Sequence, residues 1–239
     1  MRIKVIMSDK AMSRETMDAR EEMLKTALSS DAAVSVDCIK RGPDELDCNT
    51  DEAFAAAEMV KESIKAEREG FDAIVIYCFS DVGIDAIREN VRIPVIGPGE
   101  TSLAAASMLC NRFTVLTSES ANIPRTYRRL MRNGIAREKM VSVRALDIPI
   151  GELRSNPKAT EEYLRAVCKK AVEEDRADGI ILGCLGMAGY GKTIEDELPL
   201  KVIDPAFVAV AYAELCVRTS LTHITAVYPA FENNSHVEL

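Results

Sequence analysis

Apolar residues follow two rhythms along the chain. Short apolar runs at 3–7, 34–39 and 73–77 have the length of strands. Between them, at about 13–28 and 50–69, apolar residues return every third or fourth position, the period of a helix with one buried face. A shorter helix is expected at about 82–90, ahead of a strand at 94–96. The second half repeats this order. It predicts a strand at 113–116, a helix at about 124–133, a strand at 141–146 and a helix at about 160–177, then a strand at 179–183, a short helix and a strand at 201–203. Strands alternating with helices predict an α/β fold with parallel sheets.

The halves match residue by residue. Arg2-Ile3-Lys4-Val5-Ile6 aligns with Arg112-Phe113-Thr114-Val115-Leu116 at an offset of 110 (112 minus 2). Val34-Ser35-Val36 aligns with Val141-Ser142-Val143, and Glu45-Leu46 with Glu152-Leu153, both at 107. Asp72-Ala73-Ile74-Val75-Ile76-Tyr77-Cys78 aligns with Asp178-Gly179-Ile180-Ile181-Leu182-Gly183-Cys184 at 106, and Val95-Ile96-Gly97-Pro98 with Val202-Ile203-Asp204-Pro205 at 107. Four strand positions recurring in order at a nearly constant spacing indicate an internal duplication. The expected architecture is two similar lobes with parallel sheets, related by pseudo-twofold symmetry, with the active site in the cleft between them. Lobe 1 is placed at 1–99, completed by about 210–239, and lobe 2 at 100–209. Ligands of open parallel sheets bind beyond the carboxyl ends of the strands, so equivalent strand ends are expected to face one another there.

Composition narrows the partners. The 239 residues are 47% hydrophobic and 28% charged, enough for a core without disulfides or metals. A net charge of −8 without a long basic run argues against nucleic acid or an anionic membrane surface as a partner. No run reaches the ~18 apolar residues of a membrane span. The opening segment Met1–Met7 is too short for a signal peptide and is expected to be the first core strand, which points to a cytoplasmic protein. The two histidines, His223 and His236, lie near the C-terminus, which weakens a histidine-based catalytic or metal reading. In the tail, 224–228 is expected to add a strand or an oligomer contact, and 232–239 to fray.

Seven cysteines occur, with no CxxC and no Cys/His cluster, so a zinc site is not indicated. Cys38, Cys110, Cys168 and Cys216 read as small core residues and Cys48 as a loop residue. Cys78 and Cys184 differ because each ends an apolar strand at an equivalent place in the repeat, ahead of a glycine-containing turn. The following helix is expected to aim backbone N–H groups at the turn and to lower a thiol pKa from about 8.5 toward neutrality. A thiolate on one side of a carbon acid and a thiol on the other could remove a proton from one face and return one to the opposite face. Backbone N–H groups after each cysteine, with Ser80, Thr117 and Ser118, could hold the developing enolate.

At this point the chain resembles the aspartate/glutamate racemase superfamily, most closely its hydantoin and allantoin racemase branch. The stretches that carry the resemblance run from Ala73 through Cys78-Phe79-Ser80-Asp81, Pro94 to Gly97 with Glu100, Arg112 to Thr117, Val143 to Pro149, and Ile180 through Cys184-Leu185-Gly186-Met187. The resemblance implies a cofactor-independent, metal-free racemase, assembled as a homo-oligomer, with Cys78 and Cys184 as acid and base. It implies substrate contacts at Ser8, Phe79, Ser80, Asp81, Thr117, Ser118, Leu185, Gly186 and Met187. The superfamily also holds amino-acid racemases, a maleate cis-trans isomerase and an arylmalonate decarboxylase. The decarboxylase relies on one such cysteine, so two favour proton transfer to either face. Where the hydantoin branch carries an Asn-Pro-Asn-type motif that helps hold substrate, this chain reads Met7-Ser8-Asp9. Asp9 adds negative charge there, which disfavours an anionic substrate group.

Two other readings remain. One is a binding protein that keeps the cleft without turnover. The other is nucleotide binding, since Gly186 to Thr193 fits the pattern G-x-x-x-x-G-K-[ST]. Pro199 leaves little room for the long helix a phosphate loop should open, and only 46 residues follow Thr193 (239 minus 193).

Overall fold

The computed structural model describes residues 1–10, 12–132, 134 and 138–229. The tail segment 232–239 lies outside the described residues. The first sheet holds β1 (Arg2–Met7), β2 (Ala33–Cys38), β3 (Ala73–Tyr77) and β4 (Val95–Ile96), all parallel, in the order β2-β1-β3-β4. The second holds β5 (Phe113–Thr117), β6 (Met140–Ala145), β7 (Gly179–Leu182) and β8 (Lys201–Ile203), again parallel, in the order β6-β5-β7-β8. The helices are α1 (Arg14–Lys25), α2 (Asn49–Arg68), α3 (Ile84–Asn90), α4 (Pro98–Leu109), α5 (Ile123–Arg132), α6 (Pro157–Asp175), α7 (Gly191–Glu195) and α8 (Pro205–Thr219). The chain divides into two compact units, Met1–Pro98 together with the segment from Ala209 on, and Gly99–Val208. Among the described residues no helix is long and apolar enough to cross a membrane.

Local sequence explains where the helices begin. The Ser13 hydroxyl accepts from the Thr16 N–H at 3.1 Å at the head of α1. The Asp51 carboxylate reaches back to accept from the Cys48 and Asp47 N–H groups at 2.9 and 3.0 Å at the head of α2. Asn156 caps α6 through the Ala159 N–H at 3.2 Å, with Pro157 in the first turn, where it has no N–H to lose.

The two units repeat one hydrogen-bonding scheme. The Asp72 N–H donates to the Arg2 carbonyl at 2.8 Å, and the Asp72 carboxylate accepts the Arg2 N–H at 2.7 Å. In the second unit the Asp178 N–H donates to the Arg112 carbonyl at 2.8 Å, and its carboxylate accepts from Arg112 and Asn111 at 3.0 Å. Arg2 Nη1 caps the Glu69 carbonyl and Arg112 Nη2 the Asp175 carbonyl, each at 3.0 Å, tying the end of α2 or α6 to its sheet. The Ile39 N–H reaches the Met7 carbonyl at 3.1 Å and the Leu146 N–H the Thr117 carbonyl at 3.0 Å.

Each unit buries its own apolar cluster. In the first, Ile74, Ile76 and Ile6 pack against Met59 and Ala55 of α2 and Ile87 of α3. In the second, Ile180, Leu182 and Leu116 pack against Leu164, Cys168 and Ala171 of α6 and Ile194 of α7. Cys110, Cys168 and Cys216 are buried, Cys38 is half-buried and Cys48 exposed.

Two elements escaped the pattern analysis. Helices α4 and α8 carry the chain out of and back into the first unit, and both are alanine-rich and apolar on several faces, so no 3.6-residue stripe marks them. The strand expected at 224–228 is instead a turn, because the Val227 and Tyr228 N–H groups both bond the Ile224 carbonyl, at 2.9 and 3.0 Å. His223 Nε2 meets the Val91 carbonyl at 2.9 Å, and Thr222 Oγ1 donates to the Arg92 carbonyl at 3.1 Å, so this segment packs over the end of α3.

The carboxylate of Asp178 accepts from two backbone N–H groups, those of Asn111 and Arg112, at 3.0 Å. Asp178→Ala is expected to cost about 0.5–1.5 kcal/mol, the net range of an intramolecular hydrogen bond whose exposed donors water can take over. Urea unfolding should show a lower midpoint with an unchanged slope.

Candidate active site

The strand order fixes where chemistry can sit. In each sheet the connections leave the two central strands in opposite directions, so the switch point lies between β1 and β3 and between β5 and β7. Ile3 pairs with Ala73, a difference of 70, and continuing that register past Met7–Tyr77 sets Ser8 beside Cys78. Phe113 pairs with Gly179, a difference of 66, and the same step past Leu116–Leu182 sets Ser118 beside Cys184. Both cysteines therefore lie just past the end of a central strand at the switch point of their own sheet, each in line with a serine where the register is extended.

In the first unit the sulfur of Cys78 is held by hydroxyls. Ser80 Oγ lies 3.0 Å from Cys78 Sγ, and the Ser80 backbone N–H and the Ser8 hydroxyl also hydrogen-bond it. The turn closes through the Asp81 N–H, which donates to the Cys78 carbonyl at 3.0 Å, with Asp81 itself at a φ of 52°. Aspartate tolerates this left-handed conformation better than most residues. Phe79 is buried, so its ring is a packing element of the turn. Tyr77, just before the thiol, is buried under the guanidinium of Arg20, 5.5 Å from the ring centroid.

The expected lowering of the thiol pKa does not occur at Cys78. Burial pushes this thiol up from 9.0, and the hydrogen bonds from Ser80 and Ser8 only partly offset it. The reason is geometric. Six residues separate Tyr77 from the start of α3, so no helix N-terminus directly follows the sulfur, while desolvation acts on it fully.

In the second unit Cys184 begins a 3-10 turn, Leu185–Met187, closed by the Met187 N–H donating to the Cys184 carbonyl at 2.9 Å. Met187 is fully buried among Leu153, Leu164 and Ile194, so its side chain packs the core. Leu185, Thr117 and Ser118 are buried as well. Gly183 is required by close approach, since a Cβ there would lie 2.4 Å from the Leu116 carbonyl oxygen. A Cβ on Gly186 would lie 2.7 Å from Leu153 Cδ1 and 3.5 Å from Cys184 Sγ, so the missing side chain lets Leu153 pack against the turn that follows the sulfur.

Two residues that the motifs did not reveal support the second of these loops. Arg154 donates to the Gly186 carbonyl at 2.9 Å and to the Ala188 carbonyl, and stacks over Tyr190 at 5.2 Å. Asp204 accepts from the Gly189 N–H at 2.7 Å and from the Ala206 N–H at 3.1 Å, joining the loop to the head of α8. This clamp turns two carbonyls of the Gly186–Thr193 stretch toward Arg154, and α7 has five residues. That is not the geometry of a phosphate loop, which presents N–H groups and opens a long helix.

Asp9, singled out in the Met7-Ser8-Asp9 motif, lies in the bend after β1. Its Oδ1 is buried and has no hydrogen-bond partner among the described residues. Burial raises its carboxyl from 3.8 to about 6, against the smaller lowering effects of its own backbone N–H and of Arg20, with Glu45 adding to the rise. Arg20 Nε and Nη1 are likewise buried without partners.

A family model described as Asp/Glu/Hydantoin racemase matches residues 12–213. A hydantoin racemase from Pseudomonas sp. (strain NS671) is 36% identical over 197 residues, 82% of this chain and 79% of that one. A hydantoin racemase from Paenarthrobacter aurescens is 33% identical over 220 residues, 91% of each chain. Among solved structures, the allantoin racemase from Klebsiella pneumoniae superposes with a TM-score of 0.90 at 27% identity, covering 98% of this chain and 94% of that one.

Two outcomes follow from the groups around Cys78. Removing the Ser80 hydroxyl deletes a bond that favours thiolate, so Ser80→Ala should raise the pH midpoint of Cys78 alkylation by iodoacetamide, read by peptide mass spectrometry. Asp9 ionises with difficulty in the folded state. Its contribution to stability is therefore full below 3.8 and is lost as pH rises through about 6. At 1.36 kcal/mol per unit, the loss is about 3 kcal/mol above that range. Asp9→Asn should raise the urea midpoint at about pH 7.5 and leave it nearly unchanged at about pH 4.

Proposed function

Because this chain belongs to the Asp/Glu/hydantoin racemase family, and is an isomerase of the racemase type, we propose that it inverts the stereocentre of a small hydantoin-like or allantoin-like carbon acid with Cys78 and Cys184 as acid and base and without a cofactor. The observation that carries this reading is the matched placement of the two cysteines, each just past a central strand at the switch point of its own sheet. Two sites built to one plan suit a reaction whose forward and reverse steps are chemically alike.

The step balances without redox chemistry. A thiolate takes the proton from the stereocentre, and the C–H electron pair moves into the adjacent carbonyl to form an enolate. The thiol of the second cysteine then gives its proton to the opposite face of the carbon. One C–H bond breaks, one forms, and the two sulfurs exchange protonation states. The upward shift of Cys78 supports its resting as the thiol and acting first as proton donor, with Cys184 as the base. When catalysis runs the other way, the hydroxyls of Ser80 and Ser8 stabilise the Cys78 thiolate. Phe79, Asp81, Thr117, Ser118, Leu185, Gly186 and Met187 complete the proposed substrate surroundings. Phe79, Leu185 and Met187 serve as packing, and the polar groups of Thr117 and Ser118 as hydrogen-bonding partners.

In D₂O, an enantiopure 5-substituted hydantoin or allantoin should gain deuterium at its stereocentre as optical rotation decays, with no added metal or cofactor. Cys78→Ser and Cys184→Ser should each slow this by at least about 100-fold, the scale of losing one positioned acid or base. Full activity in both single variants would rule out the two-thiol mechanism.

A further inference from the structure

The turns after the two cysteines close alike. The Asp81 N–H donates to the Cys78 carbonyl at 3.0 Å, and the Met187 N–H to the Cys184 carbonyl at 2.9 Å. In the second unit a carboxylate from the strand side then ties the loop down. Asp204, the single residue between β8 and α8, is buried. It accepts from the Gly189 N–H of the loop at 2.7 Å and from the Ala206 N–H of α8 at 3.1 Å. Its partner on the loop is a glycine with a φ of 91°.

In the first unit the position equivalent to Asp204 is Gly97, the single residue between β4 and α4. Gly97 is buried, and its φ lies outside the left-handed region, so its conformation does not demand glycine. Close approach does. A Cβ on Gly97 would lie 2.5 Å from Cγ of Asp81, 2.6 Å from Oδ1 and 2.9 Å from Oδ2. The carboxylate of Asp81 therefore fills this space from the turn side. Its backbone φ of 52° is costly for a residue other than glycine and persists where the surroundings hold it. Aspartate and glycine have changed places between the units. Asp81 on the turn meets Gly97 after the strand, and Asp204 after the strand meets Gly189 on the loop.

The turn matters because Ser80, adjacent to Asp81, bonds the sulfur of Cys78 through both its hydroxyl and its backbone N–H. We propose that Asp81 is a positioning residue whose carboxylate, seated against Gly97, holds the turn in the form that aims the Ser80 donors at Cys78, the part Asp204 plays from the strand side for the loop after Cys184. The inference rests on the racemase reading of the same site and deepens it, because the Ser80 donors stabilise the Cys78 thiolate. Asp81 acts through Ser80 and belongs to the substrate surroundings by way of the turn it holds. Among the charged groups near that sulfur, Glu52 of α2 adds to the upward push on the thiol.

The test is the pH midpoint of Cys78 alkylation by iodoacetamide in the full-length protein, read by peptide mass spectrometry, with Cys184 in the same sample as internal reference. Asp81→Gly removes the carboxylate where glycine is unstrained. It should raise the Cys78 midpoint by about one unit, the scale of one lost hydrogen bond to the charged form. Direct loss of a nearby negative charge would lower the midpoint instead, so the sign separates positioning from simple electrostatics. Gly97→Asp alone forces a second carboxylate into the filled space and should also raise it. The double variant Asp81→Gly/Gly97→Asp moves the carboxylate to the strand side, as in the second unit, and should bring the midpoint most of the way back. If Gly97→Asp fails to fold, the double variant, which relieves the clash, still decides. An unchanged or lowered midpoint in Asp81→Gly, an equal shift at Cys184, or a double variant that is unfolded or no better than the worse single would each overturn the assignment. Deuterium exchange on a 5-substituted hydantoin, run on the wild type, separates the two ideas. Exchange together with an unmoved alkylation midpoint in Asp81→Gly removes the role of Asp81 and leaves the racemase. A midpoint that shifts and is restored, without exchange in the wild type, keeps Asp81 and removes the racemase.

Discussion

Asp72 and Asp178 each bond, through side chain and backbone together, to the residue at the head of the strand alongside, Arg2 at the start of β1 or Arg112 just before β5. Those bonds set the pairing of β3 on β1 and of β7 on β5 at the amino ends. Register in a sheet leaves no intermediate settings, since a slip of one residue sends every side chain to the opposite face. What is fixed at one end carries along the strand, and Ser8 comes within hydrogen-bond reach of the Cys78 sulfur. The carboxyl ends of the strands, where the two cysteines lie, thus depend on carboxylates several residues away.

The environment then makes the equivalent positions unlike. Tyr77 precedes one cysteine, buried beneath Arg20, and Gly183 precedes the other, pressed against the Leu116 carbonyl. Ser80 bonds the first sulfur, while the second loop is shaped by Arg154 and Asp204 acting on its backbone. Around Cys78 and Asp9, desolvation outweighs hydrogen bonding, and both acids are held toward their neutral forms.

Much of the fold was legible because its signals are local. Apolar strand runs and helical stripes located β1 to β8 and most helices, and constant offsets exposed the duplication. Helices α4 and α8 were not legible because they are apolar on several faces and carry no stripe. The turn at 224–228 was misread as a strand because its apolar residues match a strand, while two bonds to the Ile224 carbonyl decide otherwise. At the site, the cysteines and their serines could be found from strand ends. The direction of the Cys78 shift, the orphaned oxygen of Asp9 and the Arg154 clamp could not, because each depends on what surrounds a group in three dimensions.

The contrast between Tyr77 and Gly183 has a thermodynamic consequence for a racemase. Two mirror-image molecules have equal free energies in water, so the equilibrium constant between them is fixed whatever the protein does. The ratio kcat/KM must then be equal in the two directions, however different the two thiols are. A racemase whose two halves differ, with Tyr77 ahead of one cysteine and Gly183 ahead of the other, can be lopsided only in how that shared ratio divides into turnover and saturation. One enantiomer would be held more tightly and turned over more slowly, in strict proportion.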